Sequence, residues 1–126
     1  MTDTPEARAA GCSPDVVAWA GRGRLMPLAG HDVFVVDVAA TDPDPALEPV
    51  LLLHGFPTSS FDYADAVDHL ARRRRVVTLD FAGFGLTDKP DQHYTMGLQA
   101  DLVVALTAEL GLDRLALGSH DMGDTV

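Results

Sequence analysis

Residues 119–123, Ser-His-Asp-Met-Gly, have types and spacing suited to nucleophilic chemistry. A nucleophile on a sharp strand-to-helix turn requires small residues two positions before it and two positions after it. Centred on Asp121, those positions hold Ser119 and Gly123, whereas centred on Ser119 they would hold Leu117 and Asp121. The spacing therefore places the aspartate at the apex. A carboxylate nucleophile attacks an sp³ carbon to form an ester, which water later hydrolyses.

A second segment that could take part in catalysis is His-Gly-Phe-Pro at 54–57, directly after the apolar run 50–53. Glycine allows close approach of the backbone, and proline fixes a rigid turn. The amides of Phe56 and Met122 are predicted to face each other as two donors to a developing oxyanion. Five further residues are predicted to support this site: His54, Gly55, Pro57, His120 and Gly123. A lone His-Gly-x-Pro loop also occurs without any role, so the prediction depends on the segments together.

A third segment, 80–90, contains two glycines but no third, and no helix is predicted to open there, so it does not match a dinucleotide-binding fingerprint. Asp80 and Asp88 are interpreted as structural acids that hold a tight turn by local hydrogen bonds. No metal-ligand spacing or phosphate loop appears, so neither a metal nor a cofactor is predicted. His120 is interpreted as a packing or hydrogen-bonding residue, because strand alternation turns it away from the apex.

The elements needed to position these segments alternate between strand and helix. Apolar runs predict parallel strands near 50–54, 75–80 and 114–119, each buried on both faces. Apolar periodicity predicts helices near 60–72 and 95–110. This is an α/β pattern, a mostly parallel sheet with helices on both faces. Ligands bind beyond the carboxyl ends of such strands, where all three segments lie.

The residues before the first parallel strand do not follow the alternation of strand and helix. Residues 24–38 are predicted to form an antiparallel hairpin that turns at Gly30-His31. Residues 1–12 are predicted to be a loose tail, and Ser13-Pro14 to start a short helix through Ala20. The predicted organisation is thus an N-terminal arm at 1–23 and an α/β core at 24–126.

Charge and composition limit the classes of partner that the sequence favours. The formal net charge is −10, which argues against nucleic acid or an anionic membrane surface. The one basic cluster, Arg72–Arg75, is interpreted as a solvated helix end. The single cysteine, Cys12, cannot form an internal disulfide. No apolar run has membrane-spanning length, and the predicted location is the cytoplasm. A small, apolar molecule is the predicted partner, and the oligomeric state stays open.

Together, the motifs resemble the α/β-hydrolase superfamily over about 24–126. The quoted motifs are His54-Gly-Phe-Pro-Thr-Ser-Ser, Asp80-x-x-Gly-x-Gly-x-Thr-Asp-Lys-Pro and Ser119-His-Asp-x-Gly. Within the superfamily they resemble the aspartate-nucleophile branch of epoxide hydrolases and haloalkane dehalogenases, and in particular the mesoderm-specific transcript type. Dehalogenases usually carry Asn and Trp where this chain has Phe56 and Met122, so the substrate class stays open.

The resemblance also implies residues that this chain does not contain. In the superfamily an acid and then a histidine follow the nucleophile along the chain. Asp121 lies near the end of the sequence, so the chain is expected to be the N-terminal part of a hydrolase and inactive alone. Two alternatives stay open. One is a non-catalytic truncated fragment, and the other is an esterase that would use Ser119.

Overall fold

A computed structural model describes residues 2–126, and a five-stranded mixed sheet organises it. The strands are β1 (Arg24–Leu28), β2 (His31–Val38), β3 (Val50–Leu53), β4 (Val76–Leu79) and β5 (Ala116–Ser119). Their order across the sheet is β1-β2-β4-β3-β5. β3 is parallel to both β4 and β5, while β1 and β2 form an antiparallel hairpin whose second strand pairs antiparallel with β4. The predicted α/β class, the hairpin and the three parallel strands are confirmed.

Helices flank the sheet and connect its parallel strands. They are α1 (Pro5–Arg8), α2 (Pro14–Ala20), a 3-10 turn (Ser60–Tyr63) that runs into α3 (Ala64–Leu70), α4 (Met96–Glu109) and α5 (Met122–Thr125). Thr95 caps α4, because its hydroxyl accepts a hydrogen bond from the Leu98 amide at 3.0 Å. The helices predicted near 60–72 and 95–110 are confirmed.

The sheet separates two apolar cores, since successive strand residues point to opposite faces. In β3, Leu51 and Leu53 join the core beneath α4, while Val50 and Leu52 join the core beneath α2 and α3. All four β3 side chains are buried, as a central strand covered on both faces requires. β3 therefore forms a rigid base for the loop that follows it.

The N-terminal segment is packed on the core, so the prediction of a loose tail over 1–12 is wrong for residues 5–9, and residue 1 lies outside the described residues. Residues 5–8 form α1, and Ala9 is fully buried in the core beneath α2. Arg8 donates to the Leu86 carbonyl at 2.9 Å and pairs with Asp88 at 2.9 Å. The contact joins residues 78 positions apart, so local sequence patterns could not indicate it. The short helix predicted after Ser13 is present, although the serine side chain makes no capping hydrogen bond.

The hairpin turns one residue earlier than predicted. The turn residues are Ala29 and Gly30, both with positive φ (47° and 79°), and His31 already belongs to β2. His31 is buried, and its ring nitrogens contact the Ala29 carbonyl and the Gln92 side chain. Positive φ at both central residues is typical of a type I′ turn, whose twist matches the hairpin strands.

β5 is an edge strand, and its side chains are half-buried or exposed, so the apolar run predicts the strand itself but not its burial on both faces. It pairs only with β3, and no strand within the described chain covers its other side. The side chain of Leu117 is 60% exposed. The apolar run predicts the strand correctly, but burial depends on neighbours that a sequence pattern does not specify.

The basic cluster follows the end of α3, and Arg72 and Arg73 are exposed there, as expected of a solvated helix end, while Arg74 and Arg75 are half-buried. Arg75 forms a two-pronged pair with Asp37, with both N–O distances at 2.8 Å. Arg74 donates to the Glu48 carbonyl at 2.7 Å, and Arg73 pairs with Asp42. These arginines fasten the connection between β2 and β3 to the end of α3.

Candidate active site

Asp121 lies on a sharp turn between β5 and α5. Its backbone has φ 53° and ψ −115°, a left-handed conformation that costs a non-glycine residue about 1–3 kcal/mol. The surrounding contacts hold it there. The His120 amide donates to the Leu53 carbonyl at 3.2 Å, and a Cβ on Gly123 would lie 2.6 Å from that same oxygen. A glycine two residues after the apex is therefore required by close packing on the end of β3.

The Asp121 carboxylate faces two backbone amides. The Phe56 amide donates to Asp121 Oδ2 at 2.9 Å. This amide first, and the Met122 amide second, hold the pKa of the Asp121 carboxyl below its ordinary value of 3.8. Burial opposes the shift, and the charge of His120 adds to it. Because the pKa is lowered, the carboxylate is ionised above pH 3.8, and its amide contacts are lost only as the pH falls below that value.

Gly55 allows the two loops to meet. A Cβ at this position would lie 2.7 Å from His120 Nδ1 and 2.8 Å from Asp121 Cβ, closer than side-chain atoms tolerate. The residue is buried between β3 and the Asp121 turn. The close approach expected of this glycine is confirmed.

Replacing Gly55 with alanine is expected to lower the free energy of unfolding by about 1–3 kcal/mol, because the new methyl group must displace the turn. Urea denaturation measures the change. Gly97→Ala is the matched control, since a Cβ there meets only the Thr95 hydroxyl at 3.7 Å, and we expect no loss of stability. Equal stability of the two variants would contradict the close packing.

His54 is buried and uses both ring nitrogens. Nε2 accepts a hydrogen bond from the Phe81 amide at 3.0 Å, and Nδ1 contacts the Gly55 carbonyl at 2.9 Å. The ring also packs against Phe81 and Phe84, with centroids 4.6 and 5.6 Å apart. His54 therefore links the loop after β3 to the loop after β4 and is not free to move a proton.

Comparison with known proteins identifies the family of the chain. The sequence profile described as the alpha/beta hydrolase fold matches residues 48–123. The chain belongs to this family. Among curated relatives, the mesoderm-specific transcript homolog protein of Homo sapiens is 43% identical over 118 residues, which cover 90% of this chain and 35% of that protein. The chain thus spans about a third of the length of such relatives.

Two further similarities concern named hydrolases. Haloalkane dehalogenase 2 of Mycobacterium tuberculosis is 38% identical over 79 residues, covering 62% of this chain and 28% of that protein. The crystal structure of an epoxide hydrolase from Vigna radiata superposes with a TM-score of 0.70 at 29% identity, covering 80% of this chain and 32% of that one. These similarities agree with the assignment to the α/β-hydrolase family.

The second loop of this α/β-hydrolase chain is built on Asp80. The carboxylate is buried and accepts from the Ser60 amide at 2.8 Å, the Ser60 hydroxyl at 2.6 Å and the Leu86 amide at 2.8 Å. Asp88 accepts from the Asp32 amide at 2.8 Å. The interpretation of both acids as structural is consistent with these contacts.

The two residues before Asp121, Ser119 and His120, have different environments. His120 is exposed rather than packed in the interior, and its ring lines a cavity of about 150 Å³ together with His54 and Tyr63. The Ser119 hydroxyl donates to the Asp124 carboxylate at 2.5 Å. It is thereby held by α5 and not placed at the apex of the turn.

Three contributors to this site have no signal in the sequence that would have assigned them a role. Tyr63 donates to the Leu53 carbonyl at 2.8 Å, which fixes the end of β3 under the Asp121 turn. Thr58 donates to the Gly55 carbonyl through both its amide and its hydroxyl, each at 3.1 Å. Asp124 holds Ser119. All three lie within or beside the recognised motifs, but their hydrogen-bond partners depend on loop conformation.

A second cavity lies away from Asp121. A cavity of about 560 Å³ between α2 and the 3-10 turn is lined by residues such as Trp19 and Phe61. Phe56, Asp121 and Met122 do not line it. Across residues 2–126, no three acidic, histidine or cysteine side chains form a group that could hold a metal ion. None of the helices in that range is both long enough and apolar enough to cross a membrane.

Proposed function

We propose that Asp121 is the nucleophile of a hydrolase that opens an epoxide or breaks a carbon–halogen bond through a covalent ester. The observation that carries this proposal is the carboxylate on a positive-φ turn, facing the Phe56 and Met122 amides. An ionised carboxylate is the reactive form, and Asp121, whose pKa lies below its ordinary value, is in this form at neutral pH. The α/β-hydrolase family and the named relatives support the reaction class.

The proposed reaction has two steps. A carboxylate oxygen of Asp121 attacks an sp³ carbon, a C–O ester bond forms, and the carbon's bond to the epoxide oxygen or to halide breaks. A water molecule, deprotonated by a histidine, then attacks Asp121 Cγ. The amides of Phe56 and Met122 would stabilise the tetrahedral oxyanion. Its collapse releases the alcohol and regenerates the carboxylate, which retains one oxygen from water.

An esterase using Ser119 is the weaker alternative. A serine nucleophile needs a hydrogen bond to a general base and a position at the apex of the turn. Ser119 instead donates to Asp124, and it lies two residues before the apex. The observation favouring Asp121 is that the two amides converge on its carboxylate.

We propose an apolar substrate. The Phe56 side chain is 65% exposed beside Asp121, and its ring packs edge-on against Phe84 with centroids 6.0 Å apart. An exposed aromatic ring next to the nucleophile offers apolar contact to the carbon skeleton of a substrate. A panel containing an epoxide, a haloalkane and a p-nitrophenyl ester would separate the three reaction classes.

We propose that the acid and the histidine that complete the reaction lie outside residues 1–126, with 24–126 forming part of the α/β-hydrolase core and 1–23 an arm packed on it. The chain contains five histidines. Within residues 2–126, no histidine side chain donates a hydrogen bond to the Asp121 carboxylate. His31 and His54 are buried with both nitrogens occupied.

The 126-residue chain alone is therefore expected to show turnover near background. General base catalysis is worth about 10²–10⁴ in rate, so without it the ester would be released only slowly. Purified chain would be assayed against the panel, followed by intact-mass analysis for a trapped ester on Asp121. A non-catalytic fragment would show neither turnover nor ester. Sustained turnover by the chain alone would contradict the proposed external base.

A further inference from the structure

We infer that His54 and Thr58 are positioning residues that clamp the Gly55 carbonyl oxygen and so aim the Phe56 amide at Asp121. The inference deepens the proposed function, since it assigns the residues that set one of the two oxyanion donors. Neither side chain touches the Asp121 carboxylate, so both act through the backbone.

The Gly55 carbonyl and the Phe56 amide belong to one peptide unit. A peptide unit is planar, and in the trans form its C=O and N–H point in opposite directions. Fixing the carbonyl end therefore fixes the direction of the amide end. At the amide end, Phe56 N–H donates to Asp121 Oδ2 at 2.9 Å.

Three donors meet at the Gly55 carbonyl oxygen. His54 Nδ1 lies 2.9 Å from it, and the Thr58 amide and hydroxyl each lie 3.1 Å from it. The Asp80 carboxylate also accepts three hydrogen bonds, but Asp80 holds a loop, whereas this oxygen belongs to the peptide that contacts the nucleophile.

The contacts of His54 also determine its tautomer. Because Nε2 accepts a hydrogen bond from the Phe81 amide at 3.0 Å, that nitrogen carries no proton. The proton of the neutral ring is then on Nδ1, which makes the contact with the Gly55 oxygen a donated hydrogen bond. The Phe81 amide thus selects the tautomer that the clamp needs.

The clamp should strengthen the Phe56 donor as well as orient it. Hydrogen bonds accepted by a carbonyl polarise the peptide unit, and its N–H becomes a better donor. The Phe56 amide is also the largest cause of the lowered Asp121 pKa. Loss of a donor at the Gly55 oxygen should therefore be detected at the Asp121 carboxylate, two hydrogen bonds away.

Thr58→Val tests the clamp in the 126-residue chain, because it removes one donor from an exposed residue and keeps the side-chain shape. We expect the Asp121 ¹³Cγ titration to move upward towards 3.8. We also expect hydrogen exchange of the Phe56 amide to accelerate about two- to tenfold. Thr58→Ser retains the hydroxyl and should behave as the unaltered chain.

Thr107→Val is the matched control. The Thr107 hydroxyl donates to the Val104 carbonyl three residues earlier at 2.9 Å, the same local pattern as Thr58 with Gly55, but within α4. Its substitution should leave the Asp121 titration unchanged. If Thr58→Val also leaves the titration and the exchange rate unchanged, or if Thr58→Ser fails to restore them, the role of Thr58 is overturned.

Long-range ¹H–¹⁵N NMR correlations test His54 directly. We expect a protonated Nδ1 and an unprotonated Nε2, and a proton on Nε2 would overturn its role in the clamp. None of these measurements involves turnover. Failure of the clamp would therefore be distinguishable from failure of the proposed hydrolase activity, which an inactive complete enzyme would indicate.

Discussion

Asp121→Ala is expected to lower kcat by at least about 10⁴-fold in a polypeptide that joins residues 1–126 to the rest of the hydrolase. Alanine removes the atom that forms the ester, and no neighbouring side chain is placed to substitute for it. The Ser119 hydroxyl is held by Asp124 at 2.5 Å, and His120 lines the small cavity beside Tyr63. Turnover of the preferred substrate from the panel would be compared with that of the unaltered polypeptide.

Oxygen labelling tests the same step without a substitution. In a single turnover in H₂¹⁸O, water attacks Asp121 Cγ, so one ¹⁸O should remain in the carboxylate while the product hydroxyl receives an unlabelled oxygen from the aspartate. Peptide mass analysis would locate the label at Asp121. An enzyme that activates water for direct attack would place the label in the product instead.

Asp113→Ala is a suitable control for the substitution, because Asp113 is an exposed acid in the loop between α4 and β5. It should retain full activity. Two outcomes would contradict the aspartate nucleophile: an Asp121→Ala enzyme that still turns over, or a labelled product with an unlabelled Asp121.

The three motif loops could be predicted from sequence because each follows an apolar strand and contains residues that the backbone conformation of the loop requires. Asp121 follows from the small residues on either side of it, and a Cβ at Gly123 would indeed lie 2.6 Å from the Leu53 carbonyl. The strands themselves follow from runs such as Val50–Leu53, whose four side chains are all buried. Local patterns suffice where the constraint is local.

Contacts between distant segments could not be predicted in the same way. The Arg8 contact with Leu86 spans 78 residues, so α1 looks like a polar tail when its sequence is considered alone. Leu117 looks buried because its run is apolar, yet its side chain is 60% exposed. Sequence specifies which residues prefer burial, while topology decides which of them obtain it.

The hydrogen-bond partners of the loop residues also could not be predicted from the sequence. Thr58 lies inside a recognised motif, but its bond to the Gly55 oxygen depends on how the loop turns after β3. Ser60 likewise belongs to that motif, and its partner Asp80 is 20 residues away. Motif membership indicated that these residues matter, and only the folded geometry indicates how.

Asp80→Ala is expected to lower the free energy of unfolding by about 3–5 kcal/mol, a larger loss than that expected for Gly55→Ala. The carboxylate is 1% exposed and accepts from the Ser60 amide, the Ser60 hydroxyl and the Leu86 amide. Each buried donor left without an acceptor costs about 1–3 kcal/mol. The hydroxyl can rotate to another acceptor, whereas the two amides are fixed by the backbone.

The effect should extend beyond Asp80, because Ser60 connects it to the N-terminal helices. The Trp19 indole donates to the Ser60 hydroxyl at 3.2 Å, so α2, the loop after β3 and the loop after β4 share one buried network. Domains of this size are stable by about 5–15 kcal/mol in total. A loss of 3–5 kcal/mol would therefore leave a substantial unfolded fraction under mild denaturing conditions.

Urea titration of three variants separates the network from a general effect of removing charge. Asp80→Ala should lower the midpoint strongly with little change in slope. Asp80→Asn should have an intermediate effect, because its amide oxygen still accepts at one side while its NH₂ group meets a donor at the other. Asp65→Ala, an exposed acid on α3, should leave the midpoint unchanged. If Asp80→Ala were as stable as Asp65→Ala, the three donors would have to find other acceptors, and Asp80 would not hold the second loop.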